Sequence, residues 1–366
     1  MTIIQYINED LHLQYMNLFS SKKPYIIAGP CGAENEQQML SIAEEFKNLP
    51  VDMIRAGVWK PRSKPGNFEG MGETALPWLN QVTKISGKPV CIEVANSIQV
   101  ELALKYSIDA VWIGARTTVN PFAVQEICDA LKGNPIPVLV KNPINPDVEL
   151  WSGAIERLMA IGITNIAAIH RGFSSYDSTS KYRNKPMWAI PIELKRRYKE
   201  LPVICDPSHI GGNRDLIAPI SQRALDMDFD GLMIEVHPTP DDALSDAKQQ
   251  ITPSVLKNIL SNLILRKPTV DSDTEIENIR LVLDSMDAEI VDILGKRMEM
   301  VKKLALIKKK YNMPIFQQDR WCEIIESRNQ WGKANELDET FILQLYQLIH
   351  DKSIKTQFDY LQRNEE

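Results

Sequence analysis

In Pro202–Gly212, PVICDPSHIGG, the apolar pair Val203-Ile204 breaks into Cys205, Asp206, Pro207, Ser208 and His209, then two glycines. A buried strand that ends in polar groups and a glycine loop reads as the edge of an active site. The pattern recurs along the chain. Short apolar runs close on Cys31, on Arg55 with Lys60 and Arg62, on Glu93, Arg116 and Lys141, on His170 with Arg171, on Asp206 with His209, and on Glu235. Two chemistries are present. Arg55, Lys60, Arg62, Arg116, Lys141 and Arg171 form a cationic set suited to phosphate and carboxylate. Cys31, His209, Glu235 and Asp246 supply one thiolate, one imidazole and two carboxylates, which suits a divalent transition metal with positions left open. Their spacing is too wide for a local motif, so only the fold can assemble them.

The apolar runs that must do so are Tyr25–Ala28, Val51–Ile54, Pro89–Val94, Ala110–Ile113, Pro137–Val140, Asn165–Ile169, Pro202–Cys205 and Gly231–Val236. Helical patterns lie between them, among them Glu36–Leu49, Ser97–Tyr106, Pro121–Leu131, Trp151–Ile161 and Pro191–Lys199. Strands that are apolar throughout and alternate with helices indicate a parallel sheet. Repeated in this way over roughly 250 residues they predict an α/β chain closed as a (β/α)8 barrel. A doubly wound open sheet is the alternative, and the lack of GxGxxG after the first strand counts against its dinucleotide-binding form.

With 366 residues the chain has room for two domains. A net charge of -6 argues against nucleic acid as the main partner. Local arginine clusters still allow small anionic substrates. The 5 cysteines lack close spacing and suggest a reducing compartment. No signal peptide or membrane-length apolar run is evident, so the expected location is cytoplasmic.

Near Leu260 the pattern changes. We read residues 1–262 as the barrel, 263–273 as a linker and 274–366 as an all-helical domain. Thr274 with Glu277 forms a capping box. Apolar residues then recur at Ile276, Ile279, Leu283, Met286, Ile290, Ile293, Met300, Leu304 and Ile307, predicting a helix to about Lys310. Such a helix spans ~50 Å. It is too long to be covered by two short helices, so a second chain is expected against it. Arg297 interrupts the seam where a core residue is expected, and a buried arginine needs a partner. Lys308, three turns on, shares nearly the same face. Arg280 projects elsewhere and reaches the same pocket only from another strand of the bundle. A coiled-coil arm with solvated charges is the plainer reading.

The motifs AGPCG, IRAGVWKPRS, IGAR, VKNP, HRG, DPSH, IEVHP and ALSDAKQQ resemble those of the 3-deoxy-D-arabino-heptulosonate 7-phosphate (DAHP) synthases, in the family's order over residues 25 to 260. That resemblance implies a TIM barrel condensing phosphoenolpyruvate with erythrose 4-phosphate. It implies metal ligation by Cys31, His209, Glu235 and Asp246. Phosphoenolpyruvate would be bound by Arg55, Lys60, Arg116, Lys141 and Arg171, and erythrose 4-phosphate by Arg62 and Ser63, with Asp206 beside the aldehyde. A cysteine ligand favours Mn, Fe, Zn or Co over Mg. The related 3-deoxy-octulosonate 8-phosphate synthases resemble KANR where this chain reads Lys60-Pro61-Arg62-Ser63, so the proline favours the four-carbon sugar. Lys64 departs from the small residue expected there.

From Ile276 to Gln357 the tail resembles the AroQ-class chorismate mutases, all-helical intertwined dimers that convert chorismate to prephenate. Arg280, Arg297, Lys308, Arg320 and Gln357 match the family's site. By that resemblance Arg297 and a partner chain's Arg280 hold the two carboxylates, while Lys308 and Gln357 bond the ether oxygen. Gln317 and Trp321 stand where acidic residues are usual, a departure that points to weaker turnover. The residues expected to carry the chemistry are therefore Lys60, Asp206 and His209 in the barrel and Lys308 and Gln357 in the tail. Two other readings of the tail are a non-catalytic dimerising module that binds chorismate or prephenate, and an isochorismate–pyruvate lyase. Prephenate bound in the tail is expected to feed back on the synthase.

Overall fold

The computed structural model describes residues 19, 24–61, 66–175, 179–266 and 274–363. The chain divides into two compact units, Met1–Pro268 and Thr269–Glu366. Arg62 and Ser63 lie outside the described residues, as does the side chain of Thr274 in the expected capping box.

The first unit is a closed parallel barrel: β1 (Tyr25–Gly29), β2 (Met53–Ala56), β3 (Val90–Val94), β4 (Ala110–Ile113), β5 (Val138–Lys141), β6 (Ile166–His170), β7 (Val203–Cys205) and β8 (Gly231–Glu235), each paired with the next and β1 with β8. The main helices that follow them are α1 (Glu36–Phe46), α2 (Leu76–Ser86), α3 (Ser97–Lys105), α4 (Pro121–Leu131), α5 (Val148–Ala160), α6 (Ala189–Arg197), α7 (Ile217–Asp226) and α8 (Pro253–Asn262). The helix expected over Glu36–Leu49 stops at Phe46, and its start is fixed by Asn35, whose side chain accepts from the Gln38 amide. Asn96, Asn120, Asp147 and Thr252 cap α3, α4, α5 and α8 in the same way.

Side-chain alternation along the strands divides the core in two. Tyr25, Ile27, Met53, Cys91, Trp112, Leu139, Ile169, Ile204 and Met233 fill the barrel interior. Ile26, Ala28, Ile54, Ile92, Val111, Val140, Ala168, Val203 and Ile234 pack outward against the helices. Phe19 stacks edge-on against Tyr25 at 5.4 Å, at the end where β1 begins. The next inward position at the far end of most strands is charged: Arg55 after Met53, Glu93 after Cys91, Lys141 after Leu139, Arg171 after Ile169, Asp206 after Ile204 and Glu235 after Met233. The barrel therefore ends its apolar core in a charged layer at the C-terminal rim.

The second unit comprises α9 (Thr274–Lys310), α10 (Gln318–Ala334) and α11 (Glu339–Arg363). Val301 and Ala305 of α9 and Ile342 of α11 are its buried apolar residues. The seam predicted on α9 is placed differently from a core. Ile279, Leu283, Met286, Ile290 and Ile293 are all more than half exposed within the single chain. No helix among the described residues is long and apolar enough to cross a membrane.

Candidate functional site

The rim of the barrel gathers several of the predicted residues into one dense electrostatic cluster. Cys31 Sγ and carboxylate oxygens of Glu235 and Asp246 lie within 4.8 Å of one another. Cys31 Sγ is 3.3 Å from Asp246 Oδ2. Glu235 is wholly buried, its Oε2 accepting from Gln249 Nε2 at 2.6 Å. Its Oε1 faces Arg55 Nη2 at 3.0 Å yet has no hydrogen bond. His209 stands at the edge of this set, with Nε2 3.8 Å from Glu235 Oε1 and Nδ1 2.8 Å from Asp206 Oδ2. The short helix Pro207–Gly211 turns His209 inward, and Asp206 caps it by accepting from the His209 amide.

These groups fit a divalent cation. Burial opposes ionisation of Glu235, but His209, Arg55 and Lys60 overcome it and hold the carboxyl below its ordinary value. Asp246 is likewise held low against burial, chiefly by Arg183, with His209 and Lys60. Burial lowers the His209 pKa, which favours the neutral imidazole a metal requires. Burial and Glu235 push the Cys31 thiol up to about 12. Such a thiol becomes a thiolate only beside strong positive charge, which a divalent cation held by these residues would supply. An imidazole whose second nitrogen faces a carboxylate is the usual outer arrangement of a metal site.

The cations form the opposite wall. Arg55 is buried, its guanidinium 5.1 Å over the Trp112 ring, and Lys141 Nζ is 5.7 Å from the same ring. Trp112 Nε1 donates to Glu93 Oε2 at 3.0 Å, so one indole forms a floor beneath two cations. Lys141 also pairs with Asp206 at 3.1 Å. Burial works against the Asp206 carboxylate, and His209, Lys141 and Arg55 hold it well below the usual range. Arg171 is nearly buried and its pKa falls to about 10, through burial and the charges of Arg183 and Arg116. Arg116 is exposed on the short helix Ala115–Thr118. Crowded, desolvated cations of this kind are relieved by a bound anion. Lys60, of the cationic set, also touches the ligand cluster, its Nζ lying 2.6 Å from Cys31 Sγ and 2.9 Å from Cys31 O.

Two strand-end residues do not face the rim. Cys205 belongs to the outer core. His170 is fully buried among Trp151, Phe173, Trp188 and Phe229, with ring separations of 5.1 to 6.5 Å. Both occupy the outward phase of their strands. Burial and Arg171 lower the His170 pKa to about 3. Below the ordinary value of 6.5 the unfolded chain takes up a proton that the folded chain refuses. The contribution to stability is therefore present above pH 6.5 and is lost as pH falls toward 3. His170→Phe should gain on the wild type by roughly 2–3 kcal/mol between pH 7 and pH 4.5 in the barrel's urea transition. A difference that does not change with pH would contradict this.

In the tail, Arg297 Nη1 donates to Ser353 Oγ at 2.6 Å, and Lys308, 7% exposed, donates to Ile315 O at 2.6 Å. Gln357, one turn beyond Ser353, is buried with its Oε1 unpaired. Desolvation lowers the pKa of both Arg297 and Lys308. Both cations act on His350, whose ring is stacked at 4.0 Å on Trp321. Trp321 thus packs against His350. Gln317 precedes α10 at its cap position and makes no capping bond. Arg280 and Arg320 are exposed and pair locally with Glu277 and Glu323. Ser353 was not singled out from the sequence. Its place four residues before Gln357, on the same helix face, was the available signal.

A closed parallel barrel with a cation-lined rim and a thiol–carboxylate cluster, followed by a helical unit with its own partly desolvated cations, defines a two-domain enzyme of phosphorylated and carboxylated substrates. Residues 19–270 match the family model for the DAHP synthetase I family, and residues 279–358 match that for chorismate mutase type II. The chain belongs to the DAHP synthetase I family and carries a chorismate mutase domain after it. Phospho-2-dehydro-3-deoxyheptonate aldolase of Thermotoga maritima is 32% identical over 238 residues, 65% of this chain and 68% of the relative. Its crystal structure superposes with a TM-score of 0.59 at 30% identity, over 65% of this chain and 68% of that one. The 2-dehydro-3-deoxyphosphooctonate aldolase of Desulfatibacillum aliphaticivorans is 28% identical, over 68% of this chain and 94% of its own length. The two domains support condensation of phosphoenolpyruvate with erythrose 4-phosphate and rearrangement of chorismate to prephenate, in the shikimate route to aromatic amino acids.

Proposed function

We propose that the barrel rim and the buried face of the tail are the two active sites of one bifunctional enzyme. The observation that carries the barrel assignment is the junction of two unlike walls. The cluster of Cys31, Glu235 and Asp246 lies against the cations through the 3.0 Å contact of Arg55 with Glu235. Arg55, Lys60, Arg116, Lys141 and Arg171 would hold the phosphate and carboxylate of phosphoenolpyruvate. Cys31, His209, Glu235 and Asp246 would hold a divalent cation, whose contribution when bound is Lewis acidity at the aldehyde oxygen. Asp206 fixes His209 and Lys141, and the burial of these groups keeps water from competing for the anion. The enol carbon attacks the aldehyde, water adds at C2, and phosphate leaves. Arg62 and Ser63 remain the proposed contacts of the sugar phosphate. Loss of phosphoenolpyruvate only when erythrose 4-phosphate is supplied, and not with arabinose 5-phosphate, tests the choice of substrate.

For the tail, Arg297, Lys308 and Gln357 hold chorismate in a compact conformer and stabilise the charge that develops at the ether oxygen. This chemistry requires no acid, base or nucleophile. We assign the missing Arg280 to a second chain. The supporting observation is the exposed stripe of Ile279, Leu283, Met286, Ile290 and Ile293, an apolar surface that monomers rarely leave in water. Leu283→Asp should yield a monomer by light scattering and reduce mutase turnover with it. A monomeric variant that retains full turnover would refute the shared site. Prephenate bound in the tail is the proposed feedback signal, coupling the two sites thermodynamically. Synthase rates that do not change with added prephenate would remove that role.

A further inference from the structure

We propose that Arg183 and Asn184, consecutive residues in the loop between β6 and α6, are positioning residues that hold the metal-binding carboxylates and Arg171 in register. The inference rests on the metal-site reading above. Arg183 Nη1 donates to Asp246 Oδ1 at 2.9 Å and to Gln249 Oε1 at 2.6 Å. Gln249 then passes the constraint on, since its Nε2 donates to Glu235 Oε2 at 2.6 Å. One guanidinium thus fixes one carboxylate directly and another through a buried amide. Asp246 is split by this contact, with Oδ1 on Arg183 and Oδ2 3.3 Å from Cys31 Sγ. It is left with a single oxygen facing the thiol. Its backbone is in the left-handed region, at φ 49, a sparsely used conformation that neighbouring contacts must hold.

Asn184 ties the other half of the rim. Its Oδ1 accepts from Arg171 Nη1 at 2.8 Å, and its Nδ2 donates to the His209 carbonyl at 2.6 Å. The amide at position 184 also donates to Ile210 O at 3.2 Å. The anion-binding arginine and the segment bearing the proposed imidazole ligand are therefore pinned by one side chain.

Both residues sit on glycines that no other residue could replace without shifting them. Gly212 has φ +64, and a Cβ there would lie 2.5 Å from Arg183 Cβ. Gly172 has φ +76, and a Cβ there would lie 2.8 Å from Asn184 O. The two glycines give the loop its seat. Arg183 itself keeps a side chain 48% exposed, so its charge can be removed without opening the core.

The test uses the full chain stripped of metal by chelator and titrated with Co(II), followed by the thiolate-to-cobalt absorption band. Wild type should develop the band, and Cys31→Ala should lack it. Arg183→Met should keep the band but weaken cobalt binding by about 10–100-fold, the usual effect of losing an outer partner. Arg183→Lys should recover part of that loss. Gly212→Ala, whose Cβ would meet Arg183 at the end of the helix bearing His209, should weaken cobalt binding in the same direction by displacing Arg183. Asn184→Ala should also weaken phosphoenolpyruvate binding, by about 10-fold, through Arg171. Arg183→Met and Gly212→Ala both binding cobalt within twofold of wild type would overturn the inference while leaving the metal site intact. Absence of the band in wild type would overturn the metal site and the inference with it.

Discussion

Cys31→Ala is expected to lower condensation of phosphoenolpyruvate with erythrose 4-phosphate by about 10²–10⁴-fold, the worth of several kcal/mol of Lewis-acid stabilisation. Cys31 is 1% exposed and meets Asp246 and Lys60 through its sulfur. Alanine removes the soft donor of the cluster and, among the described residues, leaves Lys60 Nζ its bond to the carbonyl of residue 31. The change in volume is small, so the barrel should still fold. Chorismate turnover should persist, because the tail carries its own cations. Rates of phosphoenolpyruvate and chorismate loss, measured on the same preparation, check both halves. A variant that condenses at more than a tenth of the wild-type rate would contradict the role given to the thiol.

Lys308→Ala carries the second large effect, a fall of about 10²–10³-fold in chorismate rearrangement, as when a preorganised donor to developing charge is removed. Lys308 is nearly buried on α9, its charge disfavoured by desolvation and unrelieved by any carboxylate partner among the described residues. An ammonium held in this state is poised for the ether oxygen of a substrate. Its bond to Ile315 O also holds the turn after α9. A loss of turnover accompanied by unfolding of the tail would therefore point to structure, and helical content by circular dichroism separates the two. Near-normal mutase rates with intact helices would contradict the assignment.

Much of the barrel was legible because its strands are buried on both faces and read as apolar runs. All eight runs became strands. What the runs concealed was phase. A buried strand shows no polar alternation, so His170 and Arg171 looked equivalent. In the structure one enters the aromatic box and the other the rim. Cys205 was concealed in the same way beside Asp206. Helices α2, α7 and α8 went unread as separate elements, yet none of them carries a proposed ligand or anion-binding residue. Arg183, Asn184 and Gln249 could not be found from spacing, because their roles are bonds to other side chains across the loops. Trp112 read as core, and it is core, but its indole also meets Arg55 and Lys141. In the tail the α9 helix was predicted to the correct end, since a long seam with period near 3.6 admits few alternatives. Its apolar face lies open in the single chain because a second copy, not the chain's own helices, is its proposed cover.

The most direct test of the account is a paired assay on wild type, Cys31→Ala and Lys308→Ala, following phosphoenolpyruvate loss with erythrose 4-phosphate and chorismate loss in parallel. Wild type is predicted to perform both reactions, and each variant is predicted to lose one and retain the other. Wild type that fails to consume either substrate pair, or variants that lose both activities together while remaining folded, would contradict two independent active sites in one chain.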